Sequence, residues 1–126
     1  MIQIADKTLK IHETPLASVQ IQESTVIVEL DDINGKRHTI RFFPYQSVTM
    51  TTIDCTYDKD IEYPKECFSE GRYERYILED TDSALIRKLQ NALADPDDDF
   101  TKKSRHFILD LGNNLLEVVA WQMEIL

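Results

Sequence analysis

With 126 residues, 42% apolar and 29% charged, the chain is long enough for one hydrophobic core, and this composition speaks against disorder throughout. Its formal charge of −9, from 23 acidic and 14 basic side chains, repels nucleic acid and anionic membranes and attracts basic proteins. No apolar run approaches the roughly 18 residues of a membrane span, and the N-terminus lacks a signal-peptide pattern, so the expectation is a single cytoplasmic domain over residues 1–126.

The opening MIQIADKTLKIHE carries one short strand, at residues 1–4 or 9–11, ended by Pro15. In ASVQIQESTVIVELDD, Val19 and Ile21 alternate with polar neighbours. The phase then slips, and Val26, Val28 and Leu30 take over, which predicts a turn or bulge at residues 23–25. Next, Asn34-Gly35 lies between two β-rich runs and predicts a two-residue hairpin turn. That turn sets Asp32 opposite Arg37, Asp31 opposite His38, Leu30 opposite Thr39 and Val28 opposite Arg41. The Asp32–Arg37 pair is worth about 0.5 kcal/mol. His38 becomes a solvent-side partner of Asp31 rather than a catalyst.

FPYQSVTMTTIDCTY predicts a further strand, set apart from the preceding one by a break or edge at Pro44. DKDIE then places Asp58, Asp60 and Glu62 at alternate positions. A calcium loop would need Gly at the sixth position and Glu at the twelfth; the sixth is Tyr63 and no Glu stands at the twelfth. These residues are read as a solvated acidic group able to meet a basic partner. YERYILED predicts a short strand.

DTDSALIRKLQNALADP predicts the one main helix, over about residues 82–94. Thr81, Asp82 and Ser83 are candidate N-caps, Leu85, Ile86, Leu89, Ala92 and Leu93 form the apolar stripe, and Pro96 stops it. A helix this short is stable only against a sheet. Asp95, Asp97, Asp98 and Asp99 follow it. Acids at a helix C-terminus oppose the macrodipole, and a locally broken rule points to use, here as a second docking group for a basic protein.

RHFILDL and LLEVVAWQMEIL predict two strands joined through residues 112–114. In the last strand Leu115, Val119, Trp121, Met123 and Ile125 share one face with Glu117, while Leu116, Val118 and Ala120 share the other. Both faces are apolar in the middle, so both are covered. The helix covers one. Loops, the N-terminal segment or another copy cover the second. Trp121 and Met123 are the candidate residues for a homodimer or partner interface. The sum is an α+β fold, a mainly antiparallel sheet of about six or seven strands with one main helix packed on one face.

No residue set points to catalysis, a cofactor or a metal. Cys55 and Cys67 are expected as free thiols in a reducing cytoplasm. With His12, His38 and His106 they are too few and too scattered for a zinc site. Neither cysteine is flanked by a helix N-terminus or a Gly-rich turn, so a pairing with His38 or His106 lacks its usual supports. Three glycines leave no phosphate-cradling loop.

The second half, ILEDTDSALIRKLQNAL followed by RHFILDLGNNLLEVVAWQMEI, resembles small uncharacterised bacterial proteins. These end in a strand, a Ser-started helix and a hairpin closing on a Glu-Val-Val/Ile-Ala strand. The matching residues are Ser83 and Leu85, His106 and Phe107, then Glu117, Val118, Val119 and Ala120. Some of these proteins look like the immunity proteins that protect a bacterium from its own secreted toxins. The resemblance implies a small, acidic, non-catalytic module that binds another protein. The alternative is a homo-oligomeric accessory protein that pairs through its C-terminal sheet.

Overall fold

A computed structural model describes residues 1–56 and 61–126. Its strands are β1 (Ile2–Ile4), β2 (Ser18–Gln22), β3 (Thr25–Asp31), β4 (Arg37–Thr52), β5 (Phe68–Ser69), β6 (Arg72–Tyr73), β7 (Leu78–Asp80), β8 (Arg105–Asp110) and β9 (Asn114–Ile125). The helix α1 spans Ala84–Asn91. Seven strands form one antiparallel sheet in the order β1-β7-β8-β9-β4-β3-β2, and β5 with β6 forms a separate small hairpin. The fold is α+β, dominated by the antiparallel sheet.

The β2–β3 turn falls where the apolar phase slips: Gln22 faces Thr25, and Glu23 takes the left-handed conformation at φ 55°. The β3–β4 hairpin corrects the expected register by one residue. Asp31 faces Arg37, Leu30 faces His38, and Val28 faces Ile40 rather than Arg41. The reason lies in Asp32. Its carboxylate accepts the Asn34 and Lys36 N–H groups, and its carbonyl accepts the Gly35 N–H. Three residues, not two, form the loop, and only Gly35 adopts positive φ (79°), as in a turn followed by a one-residue bulge. A one-residue slip exchanges the faces of a strand. Here it brings Ile40 and Phe42 of β4, rather than Thr39 and Arg41, to the core side with Val26, Val28 and Leu30, which alternate strictly with half-buried residues along β3. Asp31 therefore pairs with Arg37, and His38 Nε2 meets Asp32 at 2.7 Å instead of Asp31.

Pro44 does not separate two strands. It lies inside the sixteen-residue β4, after a cis Phe43–Pro44 bond and just before a register break between Tyr45 and Ser47. Proline lacks a ladder donor and is accommodated at such irregularities.

The main core gathers Leu9 and Ile11 from the N-terminal segment with Val26, Val28, Leu30, Ile40, Phe42, Ile77, Phe107, Leu109, Leu116, Val118 and Ala120. Phe42 and Phe107 touch at a centroid distance of 5.1 Å. A second cluster on the other face joins Leu78, Ile108 and Leu115 to Cys67, with Ile61, Tyr63 and Tyr76 packed around it. The middle of β9 is buried on both faces: Leu115, Leu116, Val118, Val119 and Ala120. Loops and the N-terminal segment supply the covers, and α1 contributes less than its stripe suggests. Met123 and Ile125 pack against the main core along with Val118 and Ala120, so the inward phase of β9 changes after Ala120, correcting the expected faces.

The helix is shorter than residues 82–94. Ser83 caps it, its Oγ accepting the Ile86 N–H at 3.1 Å. At the far end the Ala92 N–H reaches both the Lys88 and Leu89 carbonyls, and Leu93 bonds only to Gln90, the tightening that ends helices. No residue of α1 is fully buried, and Ala92 is exposed. The helix lies beside β8 and a 3-10 turn at Phe100–Lys103.

Candidate functional site

The acidic loop after α1 is built by its own side chains. The Asp95 carboxylate accepts the Asp97 N–H at 3.0 Å, and the Asp98 carboxylate accepts the Phe100 N–H at 2.8 Å. Short acidic side chains stabilise turns in this way. The Asp95 carbonyl takes the Asp98 N–H at 3.0 Å. From the helix, the Gln90 amide donates to the carbonyls of Pro96 (2.5 Å) and Asp98 (2.6 Å), while its oxygen accepts the Thr101 hydroxyl. Asp95, Asp97, Asp98 and Asp99 are all exposed on this braced frame.

The loop leads directly into an aromatic pair. Phe100 is 44% exposed and meets the half-buried Trp121 edge-on, 5.7 Å between centroids at 61°. Lys103 Nζ lies 5.4 Å from the Trp121 ring centroid, a cation over an aromatic face. The indole N–H is buried and has no hydrogen-bond partner among the described residues. Acidic loop and Trp121, separate candidates in the sequence, thus adjoin through Phe100. Met123 does not join them; it faces Phe42 across the strands and packs on the main core. Glu62 is exposed on the segment leading to Cys67, and Asp58 and Asp60 lie outside the described residues.

A second locus is a histidine network not foreseen from the sequence. His106 Nδ1 lies 2.7 Å from Ser83 Oγ, and Nε2 lies 3.0 Å from Glu117 Oε1. A carboxylate only accepts, so Nε2 carries a proton; in the neutral ring Nδ1 then accepts the Ser83 hydroxyl. Serine, histidine and carboxylate also compose a hydrolytic triad. Here the serine is 5% exposed, and its oxygen already accepts a helix N–H. The arrangement locks the start of α1 to β8 and β9. Ser83 was readable as a cap, but its link to His106 depends on a 23-residue separation that no local pattern reports. Beside it, Arg105 grips the buried Glu79 through two bonds of 2.6 and 3.1 Å, and that pairing raises the already high Arg105 pKa.

A cleft of about 1010 Å³ lies elsewhere, lined in part by His12, Glu13, Arg72, Tyr73, Glu74 and Arg75. Two of its charged groups, Arg75 and Glu74, are engaged within the protein. Arg75 donates to the Glu13 carbonyl at 2.8 Å and stands 3.3 Å from Asp110, while Glu74 pairs with Lys10 at 3.1 Å. Burial pushes the Tyr73 hydroxyl far above its ordinary range. Cys67 is fully buried, and burial raises its thiol as well, which opposes thiolate formation; Cys55 is exposed. His106 and His38 take their partners from Ser83, Glu117 and Asp32 rather than from either cysteine. Among the described residues no group of three or more His, Cys, Asp or Glu could hold a metal ion, and no helix is long and apolar enough to cross a membrane.

No protein-family model matches the chain. No curated protein matches it either. A crystal structure of an uncharacterized protein from Neisseria gonorrhoeae is similar over 99% of this chain and 96% of its own, with 12% identity and a TM-score of 0.49.

Proposed function

We propose that the protein is a non-catalytic protein-binding module that takes a basic partner on the surface formed by the acidic loop and the Phe100–Trp121 pair. The observation that carries this reading is the adjacency itself. Four exposed aspartates stand on a loop braced by Gln90, and that loop runs straight into a part-exposed aromatic pair. An aromatic anchor supplies contact area, and fixed charges beside it supply steering and partner choice. An immunity-type role, blocking a basic bacterial toxin, fits this surface and the resemblance of the second half. A reducing cytoplasmic setting fits the two free thiols. The non-catalytic reading is supported by the buried, cap-engaged Ser83 and by the internal pairing of Arg75 and Glu74 in the cleft.

Affinity enrichment from the extract of the native host tests the proposal, comparing wild type, the Asp97→Lys/Asp99→Lys double variant and Phe100→Ala. A basic protein recovered by wild type at low salt, and lost with either variant or at high salt, is the expected result. Equal recovery by all three, or recovery insensitive to salt, would overturn it.

A further inference from the structure

Among the described residues nothing pairs with the outer edge of β2, and its backbone pattern is self-complementary. Because Gln22 faces Thr25 across a two-residue turn, Gln22, Gln20 and Ser18 exchange their hydrogen bonds with β3. The β3–β4 ladder agrees with this. Asp32 bonds to Lys36, so the even residues of β3 turn their backbone groups toward β4 and the odd ones toward β2. Val19 and Ile21 therefore aim both N–H and C=O outward from the last strand of the sheet. The stretch Ser18–Gln22 contains no charged residue, no proline and no bulge, the usual protections of an open edge. It carries instead an isoleucine that is 55% exposed although it lies on the core-facing side, opposite the fully buried Val26.

From this we infer that two copies of the chain pair antiparallel through β2, about a two-fold axis at Gln20. In that register Val19 faces Ile21 of the second copy, and Ile21 faces Val19. Both are residues with outward backbone groups, so they form the hydrogen-bonded pairs of the new ladder. Gln20 faces its own copy, and Ser18 faces Gln22. The two sheets become one continuous sheet. The exposed Ile21 side chains gain aliphatic neighbours on the core face. A second copy is the occupant because a closed two-fold contact requires a patch that complements itself, and this strand does so without any charge. Two chains of net charge −9 repel one another outside the contact. Added salt screens that repulsion, so the pairing strengthens with ionic strength, opposite to the binding of a basic partner at the acidic loop. One short strand is a small interface, so the dimer forms in the weak, concentration-dependent range.

Light scattering at several concentrations, each in low and high salt, tests this with wild type, Ile21→Lys and Ile21→Pro. The Ile21 N–H makes no bond to β3, so proline there removes only the outward donor. Wild type is expected to rise from 14.7 kDa toward twice that mass with concentration, and further in high salt. Both variants should remain monomeric while their urea midpoints show a folded chain. A wild type that stays monomeric throughout would overturn the proposal. So would a dimer that Ile21→Lys leaves intact, or a mass that climbs past the dimer. None of these outcomes requires a partner at the acidic loop, so the two proposals can fail independently.

Discussion

Ser83 Oγ stands 2.7 Å from His106 Nδ1 while it accepts the Ile86 N–H, so one hydroxyl both starts the helix and ties it to the sheet. Ser83→Ala removes the cap and leaves a buried ring nitrogen without its partner. The expected loss is about 1–3 kcal/mol by urea denaturation, combining the worth of a cap with that of an unsatisfied buried polar atom. His106→Ala should cost at least as much. Ser83→Thr can rebuild both bonds and should recover part of the loss. A Ser83→Ala variant as stable as wild type would show that the link carries no stability.

The helix and the sheet should respond differently to truncation. Leu89 is only half-buried and α1 has no fully buried residue, so Leu89→Ala is expected to cost less than the roughly 2 kcal/mol at the low end for core leucines. Phe107 is fully buried against Phe42, and Phe107→Ala should cost about 3–5 kcal/mol. Equal losses at the two sites would contradict the peripheral placement of the helix.

Strand identity was largely legible, because the β3 alternation and the Gly112-Asn113 turn are local signals, although Asn114, read as part of that connection, already belongs to β9. Register was less so. The Asn34-Gly35 turn was visible, but Asp32 captures two loop N–H groups, lengthens the loop and moves every β3–β4 pair by one. Three strands needed to close the far side, β1, β7 and β8, meet through pairs such as Ile2 with Asp80 and Asp80 with His106, so their order has no signature in any local window. The acidic loop and Trp121 were each visible alone. Their adjacency was not, since it depends on Phe100 crossing to β9.

Two carboxylates make stability fall on acidification. The hydrogen bond from His38 is the main cause that lowers the Asp32 pKa, and the bond from Lys10 does the same for Glu74. A depressed folded-state pKa stabilises at pH above the unfolded value, about 3.9 for Asp and 4.3 for Glu, and this is lost as pH falls through the folded value. Asp32→Asn keeps the turn-forming oxygen and removes the charge. Its deficit against wild type should be present at neutral pH and vanish in strong acid. Glu74→Gln should behave likewise in acid. It also removes the raised Lys10 pKa, so its deficit shrinks again as pH climbs through the Lys10 range. Urea midpoints across pH check both, and a deficit that is constant with pH would refute the assignment.

The four aspartates of the loop divide by role. Asp95 and Asp98 accept backbone N–H groups and shape the turn, whereas Asp99 makes no side-chain cap to the 3-10 turn it precedes. Asp97 receives its support through its own N–H, which any residue but proline retains. Reversing Asp97 and Asp99 to lysine should therefore leave stability within about 0.5 kcal/mol for each site, as for ordinary surface changes. Asp95→Ala and Asp98→Ala should each cost about 0.5–1.5 kcal/mol, the net worth of one hydrogen bond. The emission of Trp121, the single tryptophan of the chain, reports on the end of the same loop through Phe100. Asp98→Ala should shift that emission because it frees the Phe100 N–H, and the Asp97/Asp99 reversal should not. If the reversal perturbs Trp121 as strongly as Asp98→Ala, the loop frame depends on all four acids, and a loss of partner binding on reversal reports shape rather than charge.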